Sequence, residues 1–244
     1  MKKAILAVSF GTSYADAEAA CIRPVEAALA RAFPDWEVRR AFTSRIIMKK
    51  LRRQGVEIDS ETEALDKLRA QGYDEILLAS THIIPGHEYD LVRAAAEGLA
   101  ISRPLLSDEE DLAWMAGLLA AIAEEEDRTL VVMGHGTDHA ADETYAALRR
   151  KLPENVRLAC VEGAHSLDEI LPALENKLDK RITLMPLMLV AGDHARNDLA
   201  GDQEDSWKSR LTAEGFDVRM RMQGLGALDE VQKRFVQKVQ VLMK

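Results

Sequence analysis

The stretch TLVVMGHGTDHA, residues 129–140, runs an apolar segment into a histidine held between two glycines, Gly134-His135-Gly136. Two further residues stand at comparable places: Glu162 follows the apolar run 156–161, and His194 ends the loop that leaves the run 181–185. His82, His87 and Glu88 follow the run 75–79 in the same way. Two imidazoles and a carboxylate suit a borderline divalent ion such as Co, Ni, Fe or Zn. The same groups are also proton acceptors at neutral pH. The glycines beside His135 remove two side chains, which predicts a sharp turn with the ring projecting into a cleft and room for something large beside it. A lone histidine near a strand end also has a plainer reading as a polar loop residue, and that reading is adopted for His87, His139 and His165. His135 and His139 are four apart, as helical metal pairs are, but the glycines place the helix start after Thr137 or Asp138, so the spacing carries little weight.

The elements that must position these residues alternate. Short aliphatic runs (3–9, 36–42, 75–79, 129–133, 156–161, 181–185 and 216–221) are separated by helical patterns at 15–32, 61–71, 87–98, 108–125, 140–151, 167–178 and 226–243. Alternation of this kind implies α/β architecture with parallel sheets covered on both faces. Ligands in such folds sit beyond the carboxyl ends of the strands, which is where His135, Glu162 and His194 fall.

The chain also echoes itself. KAILAVSFGTSY (3–14) can be laid on RTLVVMGHGTDH (128–139), so that Gly11 meets Gly136, Thr12 meets Thr137 and Phe10 stands where His135 does. EILLASTHIIPGHEYD (75–90) lies on RITLMPLMLVAGDHAR (181–196), with Gly86 on Gly192 and Glu88 on His194. The expectation is therefore two doubly wound parallel-sheet halves related by internal duplication, 1–125 and 126–244, joined near the acidic EEEDR at 124–128. The opening MKKAILAVSFGTSYADA has the lysines and short apolar run of a minimal signal peptide, but the duplication reads it as the first core strand.

Composition narrows the class. With 244 residues, 47% hydrophobic, the chain can fill a sizeable core, and 41 acidic against 32 basic residues give a net charge of -9, which argues against a nucleic-acid partner. Cys21 and Cys160 are far apart and form no CxxC pair, which fits a reducing cytoplasm and no structural zinc site. No apolar run approaches the ~18 residues of a membrane span, so no membrane partner is expected.

SFGTSY, AFTSRIIMKKL, THIIPGHEYD, MGHGTDH, VEG and above all MPLMLVAGDHARNDLAGDQEDSWK closely resemble the anaerobic, early-insertion cobaltochelatases of the CbiK type, from the first strand to the last helix. The resemblance implies a class II chelatase fold, two α/β halves with the tetrapyrrole between them, and insertion of cobalt(II) into sirohydrochlorin on the oxygen-independent route to cobalamin. It places the metal ligands on His135, Glu162 and His194 and a further catalytic glutamate on Glu88, with one histidine or Glu88 accepting the pyrrole protons. The cobalt is substrate, and neither an organic cofactor nor ATP is expected. Because sirohydrochlorin is rich in carboxylates, an acidic protein must hold it with local groups. Candidates are Phe10, main-chain N–H groups at Gly11, Thr12 and Ser13, Arg45 with the other cations of TSRIIMKKLRR, and His82. A solvated helix face serves equally well as an account of the cations, and a helix cap as an account of Thr12 and Ser13. Iron insertion for siroheme is the nearest alternative, followed by nickel; a non-catalytic metal or tetrapyrrole carrier and a metal-dependent hydrolase are the rivals from other classes. Precorrin-2 as substrate and assembly into a homo-oligomer are left open.

Overall fold

The structure, a computed structural model, describes residues 1–243. The chain divides into two compact units: Met1–Leu105 with the C-terminal residues from Gly226, and Leu106–Leu225. The expected division at residue 125 thus differs from the one observed. The long helix at 109–126 opens the second unit instead of closing the first, and the last helix returns to the first unit.

In the first unit, β1 (Lys3–Ser9), β2 (Glu37–Phe42), β3 (Glu75–Ser80) and the two-residue β4 (Ala100–Ile101) form a sheet in the order β2-β1-β3-β4, and every pairing in it is parallel. Its helices begin with α1 (Ala15–Ala17), which runs through a π-turn (Glu18–Ile22) into α2 (Arg23–Ala32). The pattern at 15–32 reads as one helix, but Pro24 in the first turn of α2 has no N–H to give to the preceding turn, and the widened π-turn lies immediately before it. Then come α3 (Arg45–Arg53), α4 (Glu61–Ala70) and α5 (His87–Ala96). Ser44 caps α3 by accepting from the Ile47 N–H, and Ser60 and Glu63 close a reciprocal capping box on α4. Ala4, Leu6, Val8, Leu65, Leu78 and Val92 meet in the core.

The second unit holds α6 (Glu109–Glu126), β5 (Thr129–Gly134), α7 (Asp142–Arg149), β6 (Val156–Cys160), α8 (Leu167–Glu175), β7 (Arg181–Pro186), a π-turn (Ala195–Leu199), α9 (Trp207–Ala213) and β8 (Asp217–Met220). Its sheet is again all parallel, in the order β6-β5-β7-β8. That is the arrangement of the first sheet repeated, as the internal echo predicts. The central strand β5 is buried at all six positions because helices cover both faces. Val131, Met133, Leu184, Leu199, Trp207 and Leu211 form this unit's core. The remaining helix, α10 (Asp229–Gln240), packs in the first unit against α2 and β3. Among the described residues no helix is long and apolar enough to cross a membrane.

Candidate metal centre

At the end of β5 the chain turns through Gly134, His135 and Gly136, and Gly136 takes a positive φ of 82°. Gly11, its counterpart at the end of β1, does the same at 98°. Only glycine adopts this region without strain. The space the glycines leave is taken by the unit's own atoms, not by an open cleft as the sequence suggests. A Cβ on Gly134 would stand 2.8 Å from the Tyr145 ring and 3.0 Å from the Cys160 Sγ. On Gly136 it would meet the Glu162 carbonyl oxygen at 1.9 Å.

That close approach ties two loops together. The Glu162 N–H donates to the His135 carbonyl at 2.9 Å, and the Val161 N–H donates to the Gly134 carbonyl at 3.0 Å. The loop carrying Glu162 is closed by the Cys160 N–H, which donates to the His165 carbonyl. His165 itself sits between the Arg149 guanidinium, 2.6 Å from its Nδ1, and the Asp142 carboxylate, 3.6 Å from its Nε2. Arginine only donates, so Nδ1 of His165 accepts. His165 anchors this loop instead of pointing to solvent.

His194 stands just ahead of the π-turn at 195–199, and the rings of His135 and His194 meet edge to face with centroids 4.7 Å apart. Two imidazoles sharing one tetrahedral ion with bonds of ~2.1 Å would have their centroids about 5 Å apart. The outer nitrogen of each ring is already engaged. His135 Nδ1 lies 2.9 Å from the Gly136 carbonyl oxygen and His194 Nδ1 lies 2.7 Å from Asp198 Oδ2. A carbonyl and a carboxylate can only accept, so Nδ1 carries a proton in both rings, and in the neutral tautomer that this selects the lone pair is on Nε2. Such an acceptor behind the ring is the usual support of a metal-binding histidine. Glu162 is exposed at the rim of this loop. Among the described residues no three His, Cys, Asp or Glu side chains lie close enough together to hold a metal ion, so the pair of imidazoles is what the fold brings together and the Glu162 carboxylate is not gathered with them.

The remaining expected residues lie in the first unit. Glu88 is in the first turn of α5, where a carboxylate suits the helix dipole, and its Oε2 is buried with no hydrogen-bond partner. His82 is 8% exposed; its Nδ1 is 3.0 Å from the Ser80 hydroxyl and its Nε2 has no partner. Burial alone lowers its pKa to about 4. Arg45, the first residue of α3, is ion-paired at 2.9 Å with the buried Glu61, while Lys49, Lys50, Arg52 and Arg53 are exposed on a helix that buries Met48 and Leu51. Phe10 is 44% exposed, and Thr12 is buried with its hydroxyl accepting from the Tyr14 N–H at 3.2 Å. The Thr12 side chain therefore makes a local turn just ahead of α1, next to the partly exposed Ser13.

His139 closes a local turn ahead of α7: its Nδ1 accepts from the Ala141 N–H at 3.0 Å, one residue before the helix. Asp198 escaped the sequence reading although its signal was present, since a His and an Asp four apart on a helical turn face one another. Tyr145 gave no such signal, being one apolar position among several on α7.

Comparisons with known proteins converge with this geometry. The chain matches the cobalt chelatase (CbiK) family over residues 3–244. It is 40% identical, over 97% of its own length and 94% of the relative's, to the sirohydrochlorin cobaltochelatase of Salmonella typhimurium (strain LT2). It is 36% identical, over 88% of its length and 81% of the relative's, to the sirohydrochlorin cobaltochelatase CbiKC of Nitratidesulfovibrio vulgaris (strain Hildenborough). With two imidazoles converging at the carboxyl end of a parallel sheet and a match that spans the chain, the protein belongs to the CbiK family of cobalt chelatases.

Proposed function

We propose that this protein inserts cobalt(II) into sirohydrochlorin. The observation that carries the reading is the convergence of His135 and His194 with both Nδ1 atoms engaged, in a chain whose relatives are named for this reaction. Insertion requires a divalent ion to shed water while two pyrrole N–H protons leave the macrocycle, so a metal holder and a base must serve one ring. The two Nε2 lone pairs hold the incoming cobalt, and Glu162, whose main chain is bonded to His135, supplies a carboxylate to the same ion by a side-chain movement. The proton acceptor is one of the histidines as it releases the metal, or Glu88, whose buried Oε2 lacks a donor.

Sirohydrochlorin is held by the exposed cations of α3, by Phe10 as an apolar platform, and by main-chain N–H groups near Gly11, Thr12 and Ser13. Cobalt is a substrate in this reading, with no organic cofactor and no ATP. The setting is the cytoplasm, as a step of early cobalt insertion toward cobalamin, with neither nucleic acid nor membrane as partner.

Anaerobic absorbance spectroscopy tests this directly. Sirohydrochlorin is mixed with catalytic amounts of protein and Co²⁺, Fe²⁺ or Ni²⁺, and initial rates are compared with protein-free controls. Cobalt insertion accelerated over many turnovers is the expected result. Absence of acceleration with every ion would remove catalysis and leave a binding protein, and a clear preference for Fe²⁺ would replace the cobalt assignment.

A further inference from the structure

The two imidazoles that meet in the second unit are backed by different chemistry. The His135 Nδ1–H donates to a neutral group, the carbonyl of the adjoining Gly136, at 2.9 Å. The His194 Nδ1–H donates to a carboxylate, Asp198 Oδ2, at 2.7 Å. The local backbone creates this second pairing. His194 has helical φ and ψ, and the π-turn Ala195–Leu199 that follows carries the residue four positions on to the same side. The Ala200 N–H closes the wide turn on the Ala195 carbonyl at 3.1 Å, and Gly201 lets the chain leave it, since a Cβ there would stand 2.2 Å from the Asn197 carbonyl oxygen. Ala195 and Leu199, both fully buried, anchor the turn in the core. Turns of this kind are rare and concentrate at functional sites. Among the described residues Asp198 is ion-paired with His194 alone, so no lysine or arginine competes for its charge. A carboxylate draws the Nδ1 proton more strongly than a neutral carbonyl does, and leaves more electron density on the opposite nitrogen. The Nε2 of a carboxylate-backed imidazole is therefore the stronger metal donor.

We propose that Asp198 makes the pair unequal: by accepting the His194 Nδ1–H it orients that ring and strengthens its Nε2, so that His194 is the principal ligand of the incoming cobalt and His135 the weaker second. Asp198 is a positioning residue, acting through His194 without touching the ion. This rests on the reading that the two imidazoles take the cobalt.

Cobalt binding to the protein alone is titrated through the visible bands of Co²⁺ in the parent, Asp198→Asn, Asp198→Ala, His135→Ala and His194→Ala, and in the double variant of His194→Ala with Asp198→Ala. Asparagine keeps an acceptor oxygen and removes the charge, whereas alanine removes both. The Asp198 side chain is partly exposed, and circular dichroism and melting normalise each variant for folded protein. The expected result is a cobalt affinity about 10- to 100-fold weaker in Asp198→Ala, with a smaller loss in Asp198→Asn. His194→Ala loses more affinity than His135→Ala, and adding Asp198→Ala to His194→Ala costs nothing further. In turnover the Asp198 variants raise the KM for cobalt and leave the KM for sirohydrochlorin unchanged. A parental titration in Asp198→Ala would overturn the proposal. So would an equal loss from Asp198→Ala with and without His194, or a greater loss from His135→Ala than from His194→Ala. The underlying reading fails separately: if His135→Ala and His194→Ala both bind cobalt as the parent does, the imidazole pair is not the metal site, and the proposal goes with it.

Discussion

A neutral imidazole sealed in the first unit gives the chain a liability toward acid. His82 has a pKa near 4 when folded against an ordinary value of 6.5, and the cause is burial with no anionic neighbour. The unfolded chain therefore binds the proton first as pH falls, so folding is destabilised from about pH 6.5 downward and the effect saturates near pH 4. A shift of that size corresponds to ~3 kcal/mol. Chemical denaturation at pH 7 and pH 4 should show His82→Asn losing less stability between the two than the parent; equal losses would place the acid sensitivity elsewhere. At the proposed metal site, the meeting of His135 and His194 agrees with their places after strand ends in the sequence, whereas the Glu162 carboxylate is not gathered with them. His135, Glu162 and His194 stand out because titratable groups at strand ends beside glycine are rarely placed by packing alone. Their surroundings were not readable, because the Asp198 carboxylate beside His194 and the Tyr145 ring beneath Gly134 come into contact only when the π-turn and α7 are folded. The glycines carried a mixed message: their need for a positive φ at Gly136 was legible, but the atoms that fill the space beside them come from Glu162 and Tyr145, distant in sequence.

The helix α3 carries its charge at the scale of an element. Met48 and Leu51 face inward, and the exposed Lys49, Lys50, Arg52 and Arg53 concentrate positive potential on a protein whose net charge is -9. Arg45 is the member of this group with a structural duty, since it neutralises the buried carboxylate of Glu61. Lys49→Glu with Arg53→Glu should raise the KM for sirohydrochlorin about 10-fold at low salt, and the gap should narrow at higher ionic strength, as screened surface electrostatics does. Michaelis curves at two salt concentrations decide it, and an unchanged KM for sirohydrochlorin would return α3 to the role of a solvated helix. The strands and most helices follow from periodicity because each buries apolar positions against a sheet covered on both faces. The elements absent from that pattern are α3, whose nine residues are dominated by cations, the two-residue β4, the seven-residue α9, and the π-turn at 195–199, which depends on hydrogen bonds that leave no trace in hydropathy.

At the scale of the whole molecule the duplication was the most informative signal, because two sheets with one strand order follow directly from two copies of one pattern. The boundary was less legible. Local patterns group both α6 and α10 with the strands that precede them, while the folded chain assigns α6 forward to the second unit and α10 back to the first. Tertiary packing decides such assignments, and hydropathy along the chain does not encode it. The central claim is that the chelatase works through the paired imidazoles of the second unit. The measurement that bears on it most directly is the initial rate of cobalt insertion into sirohydrochlorin by the parent, His135→Ala and His194→Ala, each verified as folded by circular dichroism. The account predicts a loss of at least about 100-fold in both variants, in keeping with removal of a group essential to the reaction. Near-parental turnover in either one would contradict it.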